Sequence, residues 1–137
     1  MTGATRPGST AGLRHLALFV SDLEACVDFY TRLLGMHVEW HPDDDNIYLS
    51  SGNDNLALHR ADAPAAAEGQ RLDHLGFIID EPGDVDRWYA FMEAQGVTLR
   101  TAPRTHRDGA RSFYCEDPAG NVVQIIFHPP ISAGGEG

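Results

Sequence analysis

Lysine is missing from the chain: the ten basic residues among its 137 are all arginines. This absence excludes a Schiff-base lysine and the lysine of a phosphate-binding loop. Basic residues are also few, 10 against 20 acidic ones, which gives a formal net charge of -10. Such a surface repels a phosphate backbone and offers no polybasic patch to anionic lipid, so neither nucleic acid nor a membrane is an expected partner. Cysteine is scarce too. Cys26 and Cys115 lack metal-motif or disulfide-framework spacing and read as free thiols of a reducing cytoplasm. No apolar run approaches the length of a membrane span, and the opening MTGATRPGSTAG has no apolar stretch of the kind that directs secretion. The expected location is therefore cytoplasmic.

What is present is a repeat. LRHLALFVSDLEACVDFY from Leu13 and LDHLGFIIDEPGDVDRWY from Leu72 align without a gap, which places His15 over His74 and Phe29-Tyr30 over Trp88-Tyr89. Each copy opens with a strand-like apolar run and then enters a helical pattern. In the first helix Leu23, Cys26, Val27, Tyr30 and Leu34 recur at helical spacing, with Ser21 or Asp22 as cap and Gly35 as stop; in the second the stripe is Val85, Trp88, Tyr89 and Met92, closed by Gly96. Three strand candidates follow each helix: MHVEW, NIYLS and LALHR, then VTLR, RSFYC and NVVQIIF.

The expected fold is α+β, with two βαβββ modules whose curved mixed sheets enclose a shared cleft. One module alone would leave a sheet face bare. The expected boundaries are a flexible N-terminus over 1–11, a first module over 12–60, a linker over 61–71, a second module over 72–130 and a flexible tail over 131–137.

Strand alternation sorts the faces. Leu16, Leu18 and Val20 belong under the first helix, with His15, Ala17 and Phe19 opposite; in the last strand Val123, Ile125 and Phe127 point toward the helix, while Val122, Gln124, Ile126 and His128 face away. His15, His74 and Gln124 thus look into one space. Two imidazoles and a carboxamide oxygen suit a divalent iron, manganese, nickel, cobalt or zinc ion, with coordination positions left open for substrate. The structural alternative is a hydrogen-bonded role for each histidine and a backbone partner for the glutamine.

The marks HLALFVSDLEACVDFYTRLLG, DHLGFII and SFYCEDPAGNVVQ resemble the vicinal oxygen chelate superfamily, which includes glyoxalase I, extradiol dioxygenases, fosfomycin-resistance enzymes and bleomycin-binding proteins. The resemblance runs from Leu13 to His128. It places the metal ligands on His15, His74 and Gln124, with Gln124 where the family usually carries glutamate, and it sets a fourth ligand position of some members near Ala57, which cannot ligate. The THRDGARSFYCEDP segment is similar to the extradiol dioxygenase branch and implies proton-transfer roles for Tyr114 and His106. Asn53 and Asp54, however, stand where that branch carries a catalytic histidine, which argues against ring cleavage.

Two functions follow. One is a metal-dependent lyase, isomerase or dioxygenase acting on a small oxygenated substrate through a weak or degenerate divalent-metal site. The other is a metal-free protein that binds or sequesters an aromatic or antibiotic-like small molecule. Phe19, Trp40, Tyr48, His59 and Phe113 are the candidate substrate-binding wall in either case. The resemblance also implies a homodimer, in which exchange of modules would draw His15 and His74 of one site from different chains.

Overall fold

The computed structural model describes residues 6–7, 13–63, 72–129 and 131–132. Most of the expected N-terminal, linker and tail stretches lie outside these residues. The first module comprises β1 (His15–Val20), α1 (Leu23–Asp28) running on into a π-helical turn (Phe29–Leu33), β2 (His37–Asp43), β3 (Asn46–Ser50) and β4 (Asn55–Arg60). The second comprises β5 (Leu75–Ile78), α2 (Pro82–Ala94), β6 (Arg104–Thr105), β7 (Arg111–Glu116) and β8 (Val122–Phe127). The two four-stranded sheets have equivalent orders, β1-β4-β3-β2 and β5-β8-β7-β6. In each, the opening strand pairs parallel with the last and the remaining pairs are antiparallel. This is the expected α+β architecture of paired βαβββ modules.

Local chemistry sets the helix ends. Asp22 Oδ1 accepts from the Ala25 amide and caps α1. Gly35 and Gly96 end the two helical segments with φ of 81° and 75°, a conformation that costs glycine little. The π-turn was not foreseen. Its wider winding, with the Leu34 amide bonded to the Phe29 carbonyl, brings Phe29, Tyr30 and Leu33 into the core together, and Leu34 is only partly buried.

The sixth strand also departs from expectation. Only Leu99 of the VTLR segment forms a bridge, to Cys115, and the paired residues of β6 come later, at Arg104 and Thr105. Between them the Arg100 and Thr101 amides both donate to the Tyr114 carbonyl, while Thr101 Oγ1 accepts from the Tyr114 amide. The chain bulges there, and Pro103 has no N–H with which to continue the ladder.

One apolar core spans the helix-facing sides of both modules, from Leu18, Val20 and Cys26 to Phe113, Cys115 and Ile125. Asp117, in the turn before β8, ties the modules together: it is 4% exposed and accepts from the hydroxyl of Tyr30 at 2.8 Å. Ser132, within the stretch expected to be loose, is buried and donates to the Ile79 carbonyl.

Both cysteines are buried and unpaired, and burial first, then the Asp117 carboxylate, pushes each thiol up to about 12. Reaction needs the thiolate and access to it, and the native protein supplies neither. A thiol reagent such as dithiobis-nitrobenzoate should therefore label no cysteine in buffer and both in denaturant, and fast labelling of the native protein would contradict the packing.

Candidate functional site

The faces of the two sheets opposite the helices carry most of the predicted site residues. On the first sheet, register places Phe19 beside His59 and His59 beside Asn46, then Ala17 beside Ala57 and Ala57 beside Tyr48, then His15 beside Asn55. Trp40 pairs with Tyr48 and stacks on it, with ring centroids 5.0 Å apart. Phe19 and Trp40 are 73% and 58% exposed, so this aromatic surface lies open.

Phe113 does not belong to it. The side chain is fully buried, packed edge-on against Tyr89 of α2, because alternation in β7 sends Phe113 and Cys115 toward the helix. The expected wall residue is a core residue.

The second sheet brings His74, Tyr114 and Gln124 together. Tyr114 pairs with Gln124 across β7 and β8, Gln124 Nε2 donates to the Tyr114 hydroxyl at 3.2 Å, and the His74 ring meets the Tyr114 ring edge-on at 5.3 Å. His106 lies apart from this group, its Nε2 at 3.1 Å from Ser112 Oγ, two residues along β7 from Tyr114. Gln124 pairs with Gly76 as Ala57 pairs with Ala17, so Ala57 is the first-module counterpart of the glutamine.

The hydrogen bonds decide which lone pairs are free. Asn55 Nδ2 donates to Glu39 Oε1 at 3.0 Å, which turns Asn55 Oδ1 toward His15 Nδ1 at 2.7 Å. A carbonyl oxygen only accepts, so His15 carries a proton on Nδ1, and the neutral ring has its lone pair on Nε2. Asp73 Oδ2, 2.6 Å from His74 Nδ1, also only accepts when ionised, so the neutral form of that ring has the same tautomer. Gln124 spends an amide N–H on Tyr114, and its Oε1 lies over Gly76, 3.7 Å from where a Cβ would stand. Nitrogen acceptors on two histidines and an oxygen acceptor on the glutamine are the donor set a divalent ion takes, and outer partners of this kind orient metal-binding histidines.

His15 and His74 line a common cavity of about 340 Å³ between the modules, together with Asn55, Asp54, Gly76 and Phe77. Among the described residues no three His, Cys, Asp or Glu side chains form a cluster able to hold a metal. Sequence reasoning missed Asn55 and Glu39, although alternation in β4 puts Asn55 on the face that carries His59.

Among the described residues no helix is long and apolar enough to cross a membrane. The chain is 31% identical to the glutathione transferase FosA of Serratia marcescens over 82% of its length and 78% of that protein. It is 25% identical to the biphenyl-2,3-diol 1,2-dioxygenase of Sphingomonas paucimobilis over 87% of its length but 40% of that enzyme's. The crystal structure of lactoylglutathione lyase from Agrobacterium tumefaciens superimposes with a TM-score of 0.71, covering 89% of this chain and 96% of that one at 24% identity, and so attests the fold. Residues 12–125 match the Glyoxalase/Bleomycin resistance protein/Dioxygenase superfamily, and the chain belongs to that superfamily.

Proposed function

We propose that the protein binds a small oxygenated ligand in a cleft that also takes up a divalent metal weakly, through His15, His74 and Gln124. The observation that carries this reading is the hydrogen bond at Nδ1 of each histidine, to Asn55 Oδ1 and to Asp73 Oδ2, which selects the neutral tautomer whose Nε2 lone pair can bind an ion. When bound, the ion would act as a Lewis acid toward oxygen atoms of the ligand. The chain's own part is to orient: Asn55 and Asp73 hold the imidazoles, and Tyr114 holds the glutamine amide and places a phenol beside them. A carboxamide in place of a carboxylate supplies no negative charge, which makes the site weak.

A dimer belongs to the same proposal. Phe19, Trp40 and Ile78 leave apolar surface exposed on the sheet faces of one chain, and a second copy laid along the margins of those faces would enclose it as a cleft. Two buried, unpaired thiols suit a reducing cytoplasm.

The second reading, metal-free sequestration of an aromatic compound, is favoured by the open surface of Phe19, Trp40 and Tyr48. Elemental mass spectrometry on tag-free protein separates the two. Near-stoichiometric metal after reconstitution, lost in both His15→Ala and His74→Ala, supports the metal site. Metal content that is negligible, or unchanged in the variants, leaves the sequestration reading.

A further inference from the structure

A second histidine relay lies on the first sheet, outside the set offered to the metal. Asn46 Nδ2 donates to both oxygens of Asp43, at 2.8 and 3.1 Å. That pins the amide so that its Oδ1 faces His59 Nδ1 at 2.6 Å. Rotating the amide by half a turn would set its oxygen against the Asp43 carboxylate, so the orientation is dictated by charge. His59 must then carry its proton on Nδ1, and no protein hydrogen bond among the described residues engages Nε2.

The imidazole sits among rings. Phe19 is tilted over it at 5.5 Å between centroids, and Tyr48, itself stacked on Trp40, meets it edge-on at 6.1 Å. A bare acceptor is thus held at the border of an open aromatic surface. Asp43 at the end of β2 and Asp44 and Asp45 in the turn after it disfavour an anionic group there.

We propose that His59 is a recognition residue for an aromatic ligand bearing a neutral O–H or N–H donor, with Asn46 and Asp43 as positioning residues that keep Nε2 unprotonated and available to accept from it. The inference rests on the reading of this face as a ligand-binding wall. It assigns that wall a polar contact and the chemical class that satisfies it.

Two measurements test it. Long-range ¹H–¹⁵N NMR of the histidine rings, recorded at about pH 8.5 where a free imidazole is neutral, reads the tautomer directly. His59 should appear protonated on Nδ1 in the native protein and shift toward Nε2 protonation in Asn46→Ala. Calorimetric titration with 2-naphthol and with 2-methoxynaphthalene, which keeps the rings but cannot donate, reads the contact. The naphthol should bind about fivefold more tightly, the scale of one hydrogen bond, and lose that preference in His59→Ala and in Asn46→Ala, read as the ratio of the two affinities within each variant. A native His59 protonated on Nε2 overturns the proposal. So does equal binding of the two compounds, which leaves the aromatic wall standing. Binding of neither overturns the wall itself and the proposal with it.

Discussion

Asp117→Ala should lower the unfolding free energy by about 3–5 kcal/mol, a large part of the ~5–15 kcal/mol that holds a domain folded. The buried carboxylate accepts four hydrogen bonds: from the Ala119 and Asn121 amides at 2.9 and 2.8 Å, from Asn121 Nδ2 at 2.9 Å and from the Tyr30 hydroxyl at 2.8 Å. Alanine orphans all four donors, of which the Asn121 amide, Asn121 Nδ2 and the Tyr30 hydroxyl are buried. It also unties the turn that aims β8, and with it Gln124, and cuts a buried polar link between the modules. Tyr30→Phe is the controlled comparison, because it removes one charge-assisted bond and leaves the turn intact, for a cost of about 1.5–3 kcal/mol. Urea unfolding of the two variants measures both. An Asp117→Ala loss no larger than that of Tyr30→Phe would mean that the turn amides find other partners and that the latch matters less than its geometry indicates.

The same network sets an alkaline limit. Burial first, then the Asp117 carboxylate, holds the Tyr30 phenol well above its ordinary value of 10.0. The folded state therefore favours the protonated form. The resulting stability is complete below the unfolded value near 10.0 and declines as pH rises above it.

The sequence displayed its architecture because the repeat and strand alternation are local signals. His15 over His74, and Leu18 and Val20 against Ala17 and Phe19, needed only periods of two and a gapless alignment. What it hid were contacts between distant elements. SFYCEDPAGN reads plainly as a turn, yet nothing in it announces that the carboxylate of Asp117 meets a hydroxyl 87 residues away. The relays behind His15 and His59 stayed hidden for a similar reason. Asn55 and Asn46 look like ordinary polar strand residues until register sets each beside its histidine, and Glu39 and Asp43 fall on a strand whose register shifts obscure its alternation. Phe113 is a different case. The alternation that faces Tyr114 to the cleft already buries its neighbour, and aromatic character alone was a poor guide to exposure. The π-turn was illegible because a 3.6-residue period cannot register a widened turn.

Gln124→Glu should raise affinity for a divalent ion about 100-fold, which corresponds to ~2.7 kcal/mol. The substitution keeps the side chain's length and adds a negative charge at the position whose neutral oxygen makes the site weak. A compensating change is required at Tyr114. Its hydroxyl accepts from Gln124 Nε2 in the native protein, and a carboxylate has no proton to give, so the phenol must reverse its role and donate. Tyrosine does this by rotating one O–H bond, with no movement of either strand. Competition titration of zinc against a chromogenic chelator, on the native protein, Gln124→Glu and Gln124→Leu, measures the effect. If the carboxamide oxygen is a ligand, the glutamate variant gains and the leucine variant loses affinity, and both differences should vanish when His74→Ala is added. Equal affinities in all three would place the ion away from β8. The histidine tautomers would then be serving a ligand of the cavity directly, with Nε2 of His15 and His74 accepting from it as His59 Nε2 is proposed to do.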